Sequence, residues 1–207
     1  MAKGLFITIE GPDGSGKSTQ IKILRKFLWR KGYSALLTRE PGGTAIGETI
    51  REIILDKNNT EMDAMTEMLL YAAARAQHVA EVIKPALERG ETVICDRFVD
   101  SSIVYQGYGR NLGECVSIVN QYAVAGCMPD ITFLMKLNPS IGKSRIKKVE
   151  QDRMELEKIA FHNEVFRGYM ELEKLFPERI VGIDASRTIR EVSREIRNHI
   201  ERLLKQS

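Results

Sequence analysis

The stretch GPDGSGKST, residues 11–19, decides the fold class of this 207-residue chain. It follows the apolar run LFITI (5–9) and precedes the helix-like run QIKILRKFLWRKG (20–32). A glycine-rich loop that ends in Lys-Ser and joins a strand to a helix turns its backbone N–H groups toward a phosphate. The sequence therefore predicts a phosphate-binding loop and raises the question of where that phosphate goes.

Each polar residue type of this loop has a chemical reason to be there. Glycines let the backbone approach the phosphates, and the helix adds the positive end of its dipole. Lys17 is predicted to reach the β- and γ-phosphates of a nucleoside triphosphate, and Ser18 to ligate Mg²⁺. The residues expected to hold the nucleotide are Gly11, Pro12, Asp13, Gly14, Ser15, Gly16, Lys17, Ser18 and Thr19.

Five short runs rich in β-branched and apolar residues alternate with helix-like segments. They are LFITI (5–9), SALLT (34–38), TVICD (92–96), ITFLMKL (131–137) and RIVGID (179–184). This alternation predicts an α/β fold, a three-layer sandwich in which helices flank a five-stranded parallel sheet. Ligands of such sheets gather at the carboxyl ends of the strands, so functional residues are expected just after each run.

The first and last helices carry clear boundary signals. The first is predicted from Lys17 to Lys31, with Gly32 as its stop. The last opens with a capping box formed by Thr188 and Glu191. Its residues expected to be buried are Ile189, Val192, Ile196, Ile200 and Leu203.

The composition is that of an ordinary globular protein, with 43% hydrophobic and 29% charged residues and a net charge of +3. Such a weak positive charge suits a small anionic ligand and predicts no nucleic-acid partner. No run approaches the roughly 20 apolar residues of a membrane span, and no signal-peptide core precedes the first strand. With three cysteines lacking metal-ligand spacing, the chain is expected to be cytoplasmic, with one domain over residues 1–207.

Charged residues close the second and third strands. Asp96 ends the third strand and is the expected acidic partner of Ser18 at Mg²⁺. Arg39 and Arg97 lie at strand ends beside the phosphate loop and predict a second anion site. A hydrolase needs no second anion site, whereas an enzyme that moves a phosphoryl group onto another phosphate does.

Three other functions are weighed against that one. A guanine-specific switch GTPase is disfavoured because the sequence has no Asn-Lys-x-Asp segment. A deoxynucleoside kinase needs a carboxylate base near a 5′-hydroxyl, and Glu40 is a candidate for it. A non-catalytic nucleotide switch has no use for an acceptor pocket. The arginine cluster counts against the deoxynucleoside kinase, because a neutral nucleoside gives those charges nothing to bind, and the acceptor-site residues count against the switch.

The chain resembles the thymidylate kinase family. The resemblance rests on GPDGSGKST (11–19), REPGGT (39–44), YAAARAQ (71–77), DRFVDSSIVYQGYGR (96–110), PDITF (129–133) and DRME (152–155). They occur in the family's order, and other nucleotide kinases share the loop without REPGG or YQG. The resemblance implies a nucleoside-monophosphate-kinase fold and transfer of the γ-phosphoryl of ATP to dTMP, with Mg²⁺. It also implies a homodimer.

The resemblance extends to the acceptor site. It implies that Arg39, Arg51 and Arg97 hold the 5′-phosphate of dTMP and that Asp13 contacts the sugar 3′-hydroxyl. Tyr71 matches the aromatic residue that stacks on thymine. The other residues expected to bind the acceptor are Glu40, Pro41, Arg75 as donor to thymine O4, Ser101 and Ser102 at the base edge, Tyr105 against the 2′ position, and Gln106.

The sequence departs from one pattern of the family at the residue expected to supply the catalytic positive charge. Some members have an arginine inside the phosphate loop and others a basic residue in a lid. Ser15 fills the loop position here, so the lid at about 143–156 is expected to supply the charge. The lid offers Arg145, Lys147, Lys148 and Arg153. Of these, Arg153 is the predicted clamp, supported by Lys148, and the other expected catalytic residues are Asp13, Lys17 and Arg97.

Overall fold

The computed structural model describes residues 4–145 and 152–205. Its strands are β1 (Phe6–Glu10), β2 (Ala35–Arg39), β3 (Thr92–Asp96), β4 (Ile131–Lys136) and β5 (Ile180–Asp184). Its α-helices are α1 (Lys17–Arg30), α2 (Ala45–Leu55), α3 (Ala64–His78), α4 (Lys84–Glu88), α5 (Val99–Ser102), α6 (Cys115–Val124), α7 (Pro139–Arg145), α8 (Ile159–Leu175) and α9 (Ile189–Leu204). Two π-helical segments, Val79–Ile83 and Ile103–Gly109, follow α3 and α5.

The five strands form one parallel sheet in the order β2-β3-β1-β4-β5. The central strands β1, β3 and β4 are buried almost throughout, because helices cover both faces. Each predicted strand agrees with the observed one to within one residue at either end, and the predicted three-layer α/β fold is confirmed.

Alternate residues of the strands point into two cores. On one face Ile7, Ile94 and Phe133 pack with the apolar sides of α1 and α9. On the other face Phe6 and Val93 pack with the π-helical segment after α3 and with α4. This double cover fixes the sheet rigidly and leaves its carboxyl edge open for a ligand.

The predicted helix boundaries hold, but the predicted burial along α9 holds at three of five positions, since Leu203 is only partly buried. Helix α1 ends at Arg30, and the capping box of α9 forms between Thr188 and Glu191. Val192 is buried as expected, but Ile189 is 57% exposed and its predicted burial is wrong. Ile189 begins α9 at the carboxyl rim of the sheet, where no layer covers it.

Across residues 4–145 and 152–205, none of the helices combines the length and the apolar character that crossing a bilayer demands.

Candidate active site

The phosphate loop leaves the carboxyl end of β1 and enters α1. Gly11 has a φ of 131° and Gly16 a φ of 91°, both in the region that favours glycine. A Cβ on Gly11 would lie 2.5 Å from the carbonyl oxygen of Met135, so a side chain is excluded there. Among the described residues, no side chain caps the start of α1, and its first turn has no acid. The Thr19 and Gln20 N–H groups donate to the carbonyl oxygen of Gly16, so the N–H groups at the very start of α1 are the ones left for an anion.

Lys17 lies folded across the loop and is only 8% exposed. Its Nζ donates to the carbonyl oxygens of Gly11 and Pro12, both at 3.0 Å, and lies 3.5 Å from Asp13 Oδ1. Burial, and after it the charge of Arg97, lower the pKa of Lys17. A poorly solvated ammonium gains strongly from a nearby anion, so phosphate oxygens are its natural partners.

Arg97 bridges the phosphate loop to the turn after β3. Its Nη2 donates to Asp13 Oδ1 at 2.6 Å, and its Nη1 donates to Ser101 Oγ and Tyr169 Oη, both at 3.3 Å. Burial opposes ionisation of Asp13, but Arg97 and then Lys17 hold the pKa of this carboxyl well below its usual range. Arg97 also has a φ of 68°, a left-handed conformation that costs about 1–2 kcal/mol outside glycine.

A buried carboxyl, Glu10, fixes this strained turn. It accepts hydrogen bonds from the Phe98 N–H at 2.7 Å, the Ser101 hydroxyl at 2.6 Å and the Tyr169 hydroxyl at 2.8 Å. Burial, followed by repulsion from Asp100, raises the pKa of Glu10 to about 7. The Ser101 hydroxyl was expected at a base edge, but it is engaged by Glu10. Sequence reasoning missed Glu10 because it reads as the last residue of a strand.

Two arginines converge on the loop after β2. Arg39 donates to both carboxylate oxygens of Glu48, at 2.7 and 2.9 Å, and Arg51 donates to the carbonyl oxygen of Pro41 at 2.9 Å. Burial, and after it the charge of Arg39, lower the pKa of Arg51. The single carboxylate of Glu48 neutralises the positive charges of Arg39 and Arg51 only in part, so these two arginines form a site for a further anion. Glu48 escaped sequence reasoning because an acid in a first helical turn is commonplace.

Arg75 is buried at the base of the site, with 1% exposure. Its Nη1 donates to Ser102 Oγ at 2.9 Å and its Nη2 to the carbonyl oxygen of Phe98 at 3.0 Å. Its Nε lies 2.8 Å from Oε2 of Glu40, whose other oxygen is 2.9 Å from Nδ1 of His78. Sequence reasoning gave His78 no role, since nothing near it in the chain marks it as a partner of Glu40.

Aromatic and amide groups complete the wall beside Arg75. Tyr105 is 8% exposed, and the guanidinium of Arg97 lies 5.2 Å from its ring centre. Burial raises the pKa of both Tyr71 and Tyr105, so both hydroxyls stay protonated. Gln106 donates its Nε2 to Glu67 at 2.9 Å. Its Oε1 is buried without a hydrogen-bond partner in the described part of the chain, so this atom is available to accept a hydrogen bond from a ligand.

Ser18 and Asp96 meet where a cation was expected. Ser18 Oγ lies 3.4 Å from Asp96 Oδ2, and both are hard oxygen donors. Within residues 4–145 and 152–205 no cluster of three His, Cys, Asp or Glu could hold a metal alone. A pair of oxygen donors fits Mg²⁺, which usually keeps waters and takes substrate phosphates as its remaining ligands.

One cavity of about 440 Å³ joins these groups. The predicted site residues that line it are Asp13, Gly14, Gly16, Lys17, Ser18, Thr19, Arg39, Glu40, Pro41, Arg51, Tyr71, Arg75, Asp96, Arg97, Ser101, Ser102, Tyr105 and Gln106. Gly11, Pro12 and Ser15 belong to the loop but do not face the cavity. The phosphate loop therefore opens into a second compartment that has its own cations and aromatic rings.

Comparisons with known proteins identify the family. A family model described as thymidylate kinase matches residues 9–196. The chain belongs to the thymidylate kinase family. It is therefore an enzyme, a phosphotransferase of the nucleoside monophosphate kinase class that makes dTDP.

Relatives match over nearly their whole length. A thymidylate kinase of an Exiguobacterium species is 51% identical over 203 residues, which cover 97% of this chain and 96% of the relative. A thymidylate kinase of Bacillus pumilus is 48% identical over 208 residues, covering 99% and 98%. The crystal structure of thymidylate kinase from Ehrlichia chaffeensis is 32% identical, with a TM-score of 0.78, and covers 96% of this chain and 99% of its own.

The structure corrects the predicted position of Arg153 in this kinase. Its Nη2 donates to Glu67 Oε2 at 2.6 Å, its Nε donates to the carbonyl oxygen of Ile54 at 2.8 Å, and its side chain does not line the cavity. Glu67 is fully buried, so its charge needs arginine partners, and Arg110 supplies another at 3.0 Å. Lys148, the predicted supporting residue, lies outside the described residues.

Replacing Glu10 by Gln is expected to flatten the pH dependence of stability. Folding raises the pKa of Glu10 from 4.5 to about 7, so the native state binds an extra proton between these pH values. Its stability contribution is fully present below the unfolded pKa and is lost as the pH rises through 7. The full loss amounts to roughly 3 kcal/mol, which the neutral glutamine avoids.

Chemical denaturation of both proteins between about pH 5.5 and about pH 8.5 measures this effect. The free energy of unfolding of Glu10→Gln should rise relative to wild type toward the alkaline end. A constant difference between the two proteins across the range would contradict the titration of Glu10.

Proposed function

We propose that this cavity brings the γ-phosphate of ATP, held by the phosphate loop, to the 5′-phosphate of dTMP, giving dTDP and ADP for dTTP synthesis. The observation that carries the proposal is the second group of cations in the same cavity. Arg39, Arg51 and Arg97 line the same cavity as Lys17, and the carboxylates of Glu48 and Asp13 neutralise these three arginines only in part. Two anionic substrates can approach only if their repulsion is neutralised in this way.

The donor compartment consists of the phosphate loop and the start of α1. The open N–H groups of α1 and the ammonium of Lys17 suit the β- and γ-phosphates of ATP. Ser18 and Asp96 would hold Mg²⁺, which neutralises charge on the phosphates when it is bound. Lys17 would give up its carbonyl partners to follow the transferring phosphoryl group.

The acceptor compartment has groups that complement thymine. The unpaired Oε1 of Gln106 suits the N3–H of the base, and the guanidinium of Arg75 suits its O4. Tyr71 offers a ring for stacking, and Tyr105 narrows the sugar side of the cavity. Asp13, ionised beside Arg97, is placed to accept from the 3′-hydroxyl.

The proposed phosphoryl transfer does not depend on a general base. The acceptor oxygen of a phosphate monoester is already anionic at neutral pH, so the residues bind, align and neutralise. Arg97 serves both substrates, because its bond to Asp13 joins the two compartments. The hydroxyls of Ser101 and Ser102 are engaged by Glu10 and Arg75, so they support this alignment.

The alternative of a deoxynucleoside kinase loses its candidate base. Glu40 is 5% exposed, and its two carboxylate oxygens lie against Arg75 and His78. Because both of its oxygens face protein partners, neither oxygen is directed toward a 5′-hydroxyl in the cavity. A neutral nucleoside would also leave Arg39 and Arg51 without an anion.

The lid cation of this kinase is better sought at Arg145 than at Arg153. Arg145 lines the cavity, and its Nη1 donates to the carbonyl oxygen of Ala185 at a long distance of 3.4 Å. We expect Arg145→Met to lower kcat by about tenfold to a hundredfold, because a cation near the transferring group is lost. Arg153→Met should instead destabilise the fold by about 3 kcal/mol, because buried Glu67 loses a partner.

Steady-state rates and chemical denaturation of the two variants test this assignment together. The reverse pattern, with kcat lost on Arg153→Met and stability unaltered, would restore Arg153 as the clamp. Lys148 stays a predicted supporting cation, and Lys148→Met in the same assay measures its share.

Three broader properties complete the proposal. The whole chain acts as a single kinase domain with a lid at about 143–156, and it works in the cytoplasm without nucleic-acid or membrane partners. It forms a homodimer, for which exposed apolar residues on the adjacent helices α3 and α6 are available: Leu69, Ile118 and Tyr122. A light-scattering mass equal to one chain would contradict the dimer.

The test of the function is ADP release from MgATP with dTMP, dUMP, dCMP or thymidine as acceptor. Fast turnover with dTMP, weaker turnover with dUMP and negligible turnover with thymidine are expected. Turnover with thymidine but not with dTMP would overturn the proposal and return Glu40 to the role of base. Absence of acceptor-dependent release would indicate a nucleotide switch.

A further inference from the structure

We propose that His78 is a positioning residue that sets the base specificity of this kinase by orienting Glu40 and, through it, Arg75. The inference rests on the proposed role of Arg75 in reading the base. His78 does not line the cavity and would touch no substrate. Its effect would pass through a network of contacts that runs from Thr38 of strand β2, through His78 and Glu40, to the guanidinium of Arg75.

The network of contacts is continuous, and its members beyond the half-buried Thr38 are shielded from water. Thr38 Oγ1 lies 2.6 Å from Nε2 of His78, and Nδ1 of His78 lies 2.9 Å from Oε1 of Glu40. Glu40 Oε2 then lies 2.8 Å from Nε of Arg75. His78, Arg75 and Glu40 are 0%, 1% and 5% exposed. In the neutral ring, the Thr38 hydroxyl donates to Nε2 while Nδ1–H donates to Glu40.

The contact between Glu40 and Arg75 does not by itself fix the carboxylate. Although Oε2 and Nε are 2.8 Å apart, neither atom has an aligned hydrogen bond within the described residues. Charge attraction is only weakly directional, whereas the bond from His78 to Oε1 meets the geometry of a hydrogen bond. His78 therefore sets the rotation of the Glu40 carboxylate, and Glu40 in turn sets the Nε side of Arg75, whose two Nη atoms are held by Ser102, Asn120 and the carbonyl oxygen of Phe98.

The surrounding backbone leaves the imidazole little freedom. Gly43 has a φ of 85°, and a Cβ there would lie 2.6 Å from Nε2 of His78 and 2.8 Å from Oγ1 of Thr38. His78 and Arg75 lie three residues apart on α3, one turn along the same helix face. One carboxylate thus joins the loop after β2, which lies between Arg39 of β2 and Arg51 of α2, to the helix that carries Arg75.

The consequence concerns the group at position 4 of the pyrimidine. An arginine N–H can pair with a 4-carbonyl oxygen but not with a 4-amino group, which is itself a donor. A well-oriented Arg75 rejects the amino base, because a buried donor would be left facing a donor. If Glu40 no longer holds Nε, the guanidinium of Arg75 can tilt about its Nη contacts and discriminates less between the 4-carbonyl and the 4-amino base.

A matched pair of variants tests the proposal. Leucine and asparagine have nearly the same shape at position 78, but only asparagine keeps an N–H close to the place of Nδ1. For His78→Leu we expect the KM for dTMP to rise about tenfold or more with kcat within about threefold of wild type. The kcat/KM preference for dTMP over 5-methyl-dCMP should fall by about tenfold. His78→Asn should recover most of both losses.

Two results would overturn the role of His78. One is that His78→Leu changes neither the KM nor the base preference, and the other is that both variants lose them equally. If His78→Leu does not fold, Thr38→Val replaces it, since that variant removes only the hydroxyl that orients the ring. A smaller shift in the same direction would then support the proposal, and an unaltered KM and preference would overturn it.

Arg75→Lys separates this inference from the proposed function beneath it. Lysine keeps the positive charge but loses the planar fork. If Arg75→Lys leaves the KM and the base preference unchanged, the base-reading role of Arg75 is wrong. If Arg75→Lys alters both and His78→Leu alters neither, only the role of His78 falls.

Discussion

Replacing Lys17 by Met is expected to lower kcat for dTMP phosphorylation by about 10³-fold or more, because charge on the transferring phosphoryl group loses its cation. The fold should tolerate the change. Burial already lowers the pKa of Lys17, so its charge is unfavourable in the free protein. Methionine has a similar length and no charge to desolvate.

Rapid-quench kinetics give the rate of the chemical step, and calorimetry gives the affinity for dTMP. The affinity for dTMP should stay near that of wild type, since Lys17 serves the donor compartment. Lys17→Arg is the matched control. It keeps the positive charge, but the larger guanidinium does not fit the tight loop in the position of the Lys17 ammonium, so this variant separates loss of the charge from loss of its position. More than a tenth of the wild-type kcat in Lys17→Met would contradict the role of Lys17.

Replacing Arg97 by Gln is expected to lower kcat/KM for dTMP by about 10³-fold, a loss of roughly 4 kcal/mol in transition-state stabilisation. Arg97 is the one predicted residue whose guanidinium joins Asp13 of the phosphate loop to the turn after β3. Its removal should therefore weaken both alignment and charge neutralisation. Arg97→Lys should recover no more than about tenfold, because lysine cannot hold both partners at once.

Steady-state kinetics over dTMP concentration measure this loss, and chemical denaturation shows whether the fold survives. Part of the strain in the backbone at Arg97, with its φ of 68°, is offset by Glu10 through the Phe98 N–H, so that support remains in the variant. Full recovery of kcat/KM in Arg97→Lys would show that only charge matters at this position.

The sequence predicted the sheet and most of the cavity because both depend on local signals. A glycine-rich loop between a strand and a helix is defined within ten residues, and parallel strands bring their carboxyl ends to one edge. Arg39, Asp96 and Arg97 are strand-end residues, so their meeting followed from topology. The family resemblance added Tyr71, Arg75 and Gln106, which lie on helices that no strand-end rule places.

The structure pairs Arg153 away from the cavity, for a reason that local sequence signals do not show. The prediction rested on its place in the lid segment, yet its partner Glu67 is 86 residues away in the chain. A buried carboxylate attracts whichever arginine the fold brings within reach, and the sequence alone does not say which one.

The sequence by itself determined the fold class, the phosphate loop and the set of cations and rings around a second compartment. Only the tertiary structure decided how those groups are paired: Glu10 with the turn at Phe98, Glu40 with Arg75 and His78, and Arg153 with Glu67. The physical reason is that a sequence motif consists of residues close to one another along the chain, so it can be recognised before the tertiary structure is known. Pairing of buried charges depends instead on distances between segments, which exist only after the helices have packed on the sheet.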